Sequence, residues 1–359
     1  MRLLSLLVVF AVWLLSGCGA PAGALCGPST CAGCCNGDRC EQGTAVSACG
    51  MGGLTCSTCS AGASCNVGGQ CSGGTGGAGG GTAQPSGDSE WSRWVSPPVA
   101  PMPSDYTVNG DTVIDSVTRL VWQHSAPVTT MTLSEARSYC TQLNLGGFAN
   151  WRLPTLVELS SLVDYGVLQP AIEITAFPNT VKDAYWTGTR SSRDAAAAWT
   201  VDFNIGQTWD GYTETSKKSV RCVSAPLTPG GGGGAPIGRY AVSADTVKDN
   251  ITGLVWQRTL APDDIYGSSV HKYCDDLQLG GASDWRLPTV KELQTLLDVR
   301  AVGVKIDTNA FPSTPLRQFW SSSVYGTGAL WTVDFHAGHT FQFNTGYALR
   351  ARCVRSPQL

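Results

Sequence analysis

The spacing of apolar positions along this chain changes period several times, and the changes occur twice. From Asp111 to Gln123, Asp-Thr-Val-Ile-Asp-Ser-Val-Thr-Arg-Leu-Val-Trp-Gln reads as strand, turn, strand, with β-branched residues leading into Trp122. At Thr132 the spacing becomes helical. Thr132-x-x-Glu135 has the form of a capping box, and Leu133, Ala136, Cys140 and Leu143 follow at three- and four-residue steps. Gly146-Gly147 is the expected stop of that helix. A second box, Thr155-x-x-Glu158, opens a helix with Leu156, Leu159, Leu162 and Val163 on one face. Alternation then returns through Tyr185-Trp186, Trp199-Thr-Val-Asp-Phe203 and Val220-Arg-Cys-Val223, predicting several antiparallel strands. One such segment is a mixed α+β domain.

Residues 150–165, NWRLPTLVELSSLVDY, return at 284–299 as DWRLPTVKELQTLLDV. Tyr106 matches Tyr240, Trp122 matches Trp256, Cys140 matches Cys274 and Trp186 matches Trp320, all at an offset of 134. The offset falls to 132 at Trp199 and Trp331 and to 131 at Cys222 and Cys353, so the deletions are late. Residues 105–226 and 239–357 are therefore two copies of one domain, each of self-sufficient size, joined by a glycine-rich linker at 227–238. In the repeated WRLP block, Trp151 and Trp285 are expected in the core. Thr155 and Thr289 cap helices, and Glu158 and Glu292 close the boxes. Arg152 and Arg286 are expected to pair with Asp164 or Asp298, or with Asp202 or Asp334. The block reads as architecture rather than chemistry.

Composition adds compartment and spacing. Of 359 residues, 42% are hydrophobic and only 14% charged, and a net charge of −3 leaves no electrostatic footprint for nucleic acid. Residues 1–17 have the form of a signal peptide, with Arg2 ahead of an apolar run, and Leu15-Ser16-Gly17-Cys18 resembles the lipobox at which Cys18 becomes lipid-modified. Gly19 favours the outer membrane by the usual lipoprotein sorting rule. Ten of the fifteen cysteines lie between Cys26 and Cys71, so residues 18–71 are expected to be a disulfide-stapled module. Cys31-x2-Cys34 and Cys56-x2-Cys59 stand near zinc-ribbon spacing, a minor alternative in an oxidising compartment. Residues 72–104 are a Gly/Pro-rich linker, flexible to residue 90 and stiffer beyond it.

In each copy Asp-x-Val, Leu-Val-Trp-Gln, Tyr-Cys, Trp-Arg-Leu-Pro-Thr, Phe-Pro, Trp-Thr-Val-Asp-Phe and Arg-Cys-Val occur in that order. This series resembles the C-terminal domain family of the Legionella collagen-like adhesin, over about two thirds of the chain. The resemblance implies a C-type-lectin-like α+β fold in tandem after the small module. It also implies a staple from the first helix to a late strand: Cys140 to Cys222 and Cys274 to Cys353. It further implies binding of sulfated glycosaminoglycans through a basic surface. The matching clusters would be Lys217, Lys218 and Arg221, and Arg350, Arg352 and Arg355, although acidic and basic residues nearly balance in each copy. The Glu-Pro-Asn or Gln-Pro-Asp loop of calcium-dependent lectins is absent, so no calcium is implied.

Catalytic constellations are not legible. None of His124, His271, His336 and His339 recurs at the matching position of the other copy. Asp334-x-His336-x2-His339 is the one candidate metal set, and a metal-dependent hydrolase is the minor alternative that goes with it. The main expectation is a cell-envelope lipoprotein, without catalysis or cofactor, whose repeats bind an extracellular glycan or surface protein. The second is a purely structural or protein–protein interaction role. Trp186, Trp199, Trp320 and Trp331 are expected core. Trp209, Tyr212, Lys217 and Lys218 in one copy, and Phe341, Phe343, Tyr347 and Arg350 in the other, are the candidate ligand-binding residues, because aromatics on divergent loops suit sugar stacking or protein contact.

Overall fold

The computed structural model describes residues 90–96, 99–225, 235–236 and 238–356, with short pieces of the cysteine-rich segment between residues 34 and 72. The expected signal segment, Cys18 and most of both expected linkers lie outside the described residues. Two units are distinct, residues 1–82 and 83–359. In the first, Cys34–Asn36 pairs antiparallel with Arg39–Glu41 and parallel with Leu54–Thr55. Cys34 and Cys56 form a disulfide, which takes one sulfur from each half of the zinc-ribbon spacing.

The second unit holds both copies. The first runs β1 (Tyr106–Asn109), β2 (Thr112–Asp115), β3 (Val121–Gln123), α1 (Leu133–Thr141), β4 (Trp151–Arg152), α2 (Leu156–Ser161), β5 (Ala184–Arg190), β6 (Ala197–Asp202), β7 (Gln207–Thr213) and β8 (Val223–Ser224). The second runs β9 (Tyr240–Val242), β10 (Thr246–Asp249), β11 (Val255–Gln257), β12 (Ile265–Tyr266), α3 (Val270–Asp275), α4 (Val290–Gln294), β13 (Gln318–Val324), β14 (Ala329–Asp334), β15 (Thr340–Asn344), β16 (Ala348–Leu349) and β17 (Val354–Arg355). The strand next to the carboxyl end returns beside β3 or β11, so one sheet has the order β4-β8-β3-β2-β1 and its counterpart β9-β10-β11-β17. A separate three-stranded meander, β5-β6-β7 or β13-β14-β15, completes each copy. The fold is mostly sheet with short helices, an α+β arrangement.

Both capping boxes of the first copy form: Thr132 accepts from the Glu135 N–H and Thr155 from the Glu158 N–H. Helix α1 ends at Thr141, before the glycine pair. Gly146 and Gly147 instead take positive φ angles of 59° and 73° in the turn that bridges Leu145 to Phe148. Trp186, Trp199, Trp320 and Trp331 are fully buried, as the shared positions suggest. The staples implied by the resemblance are present, Cys140–Cys222 and Cys274–Cys353, spanning 82 and 79 residues. Loops of that length correspond to about 4 kcal/mol each in the loop-entropy model.

The arginine of WRLP does not reach any of the expected aspartates. Arg152 donates through both terminal nitrogens to Glu158, at 2.7 Å each, and Arg286 does the same to Glu292 at 2.8 and 2.6 Å. Geometry explains the choice. A carboxylate closing a capping box must turn back toward the helix entry, where the Arg of the preceding strand already lies, whereas Asp164 turns to the Gly166 N–H. Burial pushes the Glu158 carboxyl up, but the Arg152 guanidinium and the Thr155 N–H outweigh it and hold the group below the usual carboxylate range.

Two further expectations change. Arg221 and Arg352 are not surface charges: each is fully buried and donates to two consecutive carbonyls, of Gln123 and His124 or of Gln257 and Arg258. Their planes lie over Phe177 and Phe311 at 4.8 and 4.7 Å. The copies are also not separate globules, since one apolar cluster runs from Leu159, Leu162 and Trp199 in the first to Leu293, Leu296 and Trp331 in the second. Within the expected linker, Glu90, Trp91 and Ser92 are buried, and Trp94 and Val99 pack against this cluster.

Glu158→Ala is expected to cost about 3 kcal/mol in urea unfolding, because Arg152 would stay buried without its counter-charge. Thr155→Ala, which removes only the cap, should cost about 1 kcal/mol. Equal losses in the two variants would contradict the clamp.

Candidate functional site

The outer strands β7 and β15 of the two meanders meet each other, and the meeting is nearly symmetric. Thr208 and Thr340 are equivalent positions, and each backbone N–H donates to the other's hydroxyl, at 3.1 and 3.0 Å. On either side the symmetry continues with different chemistry. Gln207 donates its amide to Gln342 at 2.7 Å, and the mirrored pair is His339 with Asp210 at 2.8 Å. A β-branched hydroxyl at both central positions lets two edge strands satisfy their N–H groups without full backbone pairing. The helices add contacts to this seam: Lys291 Nζ donates to the Ser161 carbonyl at 2.9 Å, and Gln294 to the Tyr165 hydroxyl at 3.0 Å. Tyr165 meets Trp331 edge-on at 5.0 Å.

Asp210 is the most densely bonded side chain of the seam. It accepts from Ser191 Oγ at 2.7 Å and from Arg193 Nε at 3.0 Å, pairs with Arg193 NH2, and meets His339 Nε2. Burial pushes its carboxyl up, yet the bonds from His339, Arg193 and Ser191 outweigh burial and hold it well below the usual carboxylate range. His339 is therefore an interface residue. His336 is exposed and its N–H donates to Asp334 at 2.7 Å, so the three residues of the candidate metal set do not converge. Among the described residues no group of three His, Cys, Asp or Glu side chains is placed to hold a metal.

The fixed imidazole carries the candidate aromatic residues. The Trp209 ring stacks on His339, with centroids 4.7 Å apart and planes at 29°, and remains 42% exposed. Phe341 approaches the same imidazole edge-on at 5.4 Å. Gly211 makes room for the indole, since a Cβ there would lie 2.5 Å from Trp209 Nε1. Trp209 and Phe341 are equivalent positions of the two copies, so each copy supplies one ring to a patch that neither holds alone. Arg193 borders it, with its side chain 47% exposed.

The other candidates lie apart. Lys218 sits 3.7 Å from the Tyr212 ring centroid and packs near Asp183, while Lys217 is exposed. Phe343 meets Tyr347 at 5.9 Å, with Tyr347 60% exposed beside the β12–β16 pair. Arg350 donates to the carbonyls of Pro262 and Ala261 and pairs with Asp264, so it holds its own loop. Arg355 is held by Asp284. The two basic clusters thus form no patch.

Sequence reasoning missed Gln207, Asp210, Arg193, Thr340 and the seam role of His339. A signal existed: Gln207-Thr-Trp-Asp210 aligns with His339-Thr-Phe-Gln342, and the outer positions change together.

A family model described as the Lcl C-terminal domain matches residues 111–224 and again 245–355. The chain belongs to that family and carries its domain twice. Among curated proteins nothing matches.

Asp210→Asn is expected to weaken the pair. Because the carboxyl is lowered in the folded state, its contribution is present above about pH 4 and disappears as pH falls through the lowered value. The stability gap between wild type and D210N, measured by urea unfolding at stepped pH, should therefore be widest near neutrality and close in acid. A gap independent of pH would contradict the ionised network.

Proposed function

We propose that this protein is a lipid-anchored cell-envelope protein that displays a fused pair of C-type-lectin-like domains to bind an extracellular glycan, without catalysis. The observation that carries this reading is the Trp209 ring, exposed yet held by a buried imidazole that Asp210 fixes. A rigid aromatic face costs little ordering entropy on binding and suits the apolar face of a sugar ring. The polar groups around it are the Gln207–Gln342 amide pair and the compensated Arg193–Asp210 pair, so the patch favours a neutral saccharide over a sulfated one. Burial of Arg221 and Arg352 takes one cation out of each basic cluster. The lipobox at Cys18 and the glycine-rich linker support display from a membrane, with the outer membrane as the reading for Gly19. A protein partner is the second reading, favoured by the exposed tyrosines of the second copy, Tyr266 on β12 and Tyr347 just before β16.

The test is a glycan array probed with the full chain carrying Cys18→Ser, at two salt concentrations, beside Trp209→Ala and Phe341→Ala. Salt-insensitive binding of neutral glycans, weakened about tenfold or more by Trp209→Ala, is the expected outcome, on the scale of a lost stacking anchor. Binding that survives both substitutions, or silence across the array, would overturn the glycan reading.

A further inference from the structure

We propose that residues Glu90–Trp94 form a latch across the seam between the two copies, held while the Glu90 carboxyl is protonated and loosened as that carboxyl ionises. Glu90, Trp91 and Ser92 are three consecutive buried residues, and they touch both copies. On the first, Glu90 Oε2 accepts from the Thr189 hydroxyl at 2.5 Å, and Thr189 Oγ1 accepts in turn from the Leu156 N–H that begins α2. On the second, the Ser92 carbonyl accepts from Arg239 at 2.7 Å, and the Arg239 guanidinium lies 5.0 Å from the Trp91 ring centroid. Arg239 is itself held by Asp249 at 2.7 Å and by the Thr295 carbonyl. Trp91 also meets Tyr240 edge-on at 6.4 Å. The strap is thus a third member of the interface, and it lies where the chain enters the pair from the linker.

Glu90 lines a small cavity with the apolar Leu156 and Val157 of the first copy and Leu297 and Val299 of the second, beside the uncharged Ser160, Thr208 and Gln294. Among the described residues it has no ion-pair partner, and Thr189 is its hydroxyl donor. The charged groups facing it are Glu158 and Arg152 from the first copy, already paired with each other, and Arg300 from the second. Lys291 faces the adjoining cavity and is bonded to the Ser161 carbonyl. Burial outweighs the Thr189 bond and these charges, and pushes the carboxyl up to about 7. A raised carboxyl contributes stability that is complete below the ordinary value of 4.5 and lost as pH rises through about 7. The strap's opening constant should therefore climb about tenfold per pH unit across that window and level off above it. Lys291 acts in the opposite sense: burial lowers its amine to about 7, so its contribution is lost as pH falls. Global stability mixes the two, and a local measurement is required.

The consequence is a change in tether length. A docked strap holds residues 90–94 against the pair, and a released one adds them to the expected linker, whatever ligand the pair binds.

Hydrogen exchange of the full chain carrying Cys18→Ser, followed by mass spectrometry at pH 5 and 7.5 and corrected for intrinsic rates, tests the latch. Protection of residues 90–96 should fall about fifty-fold from the lower pH to the higher, while β6 and β14 stay protected. Glu90→Gln should abolish that fall. Unchanged protection in the wild type, or an equal fall in Glu90→Gln, would overturn the proposal. Should Glu90→Gln lose protection in β6 and β14, Thr189→Val replaces it. That variant should loosen the strap at both pH values yet keep the pH-dependent fall, and loss of the fall would also overturn the latch.

Discussion

A buried carboxylate at the third position of a short helix holds each copy together. Glu158 and Glu292 each satisfy the helix entry and neutralise the arginine of the strand before it. Helices of six and five residues have little stability of their own, so their position must come from tertiary bonds. The clamp supplies that position: it fixes the helix start against β4, or against the WRLP segment of the second copy, and so sets where the opposite side of the helix points. The two helices meet the other copy through the Ser161 carbonyl, Lys291 and Gln294. Loss of the carboxylate would leave a buried guanidinium unpaired and free the helix on which the seam is built.

The seam shows how a duplicated domain can become one body. Equivalent edge strands meet through equivalent threonines, the arrangement of a two-fold dimer interface written into a single chain. Fusion removes the need for identity away from the axis. One flank keeps a glutamine pair, and the other has become Asp210 with His339, ringed by Ser191 and Arg193. That asymmetry produces the exposed Trp209 mount, because only the charged flank supplies a planar ring held firmly enough to stack on. Display and rigidity therefore come from one divergence between the copies.

Much of this was legible in the residues. Both capping boxes of the first copy, the core tryptophans and the paired cysteines followed from spacing or from the family resemblance. The arginine of WRLP was misassigned because aspartates lay on the same segments, while the glutamate already counted as a cap had a second pair of lone pairs to give. Arg221 and Arg352 were read as surface charge because a run of basic letters does not show which side chain turns inward to backbone carbonyls.

By itself the sequence determined what depends on neighbours a few residues apart: helix entries, strand alternation and the doubling of the domain. Those features rest on local sterics and on the period of the apolar pattern, both contained in short windows. The tertiary structure alone decided that Thr208 meets Thr340, that Asp210 reaches His339, and that Glu90 closes over the junction. Such contacts join residues more than ninety positions apart, and their register is set by how two folded surfaces dock, which no short window of sequence contains.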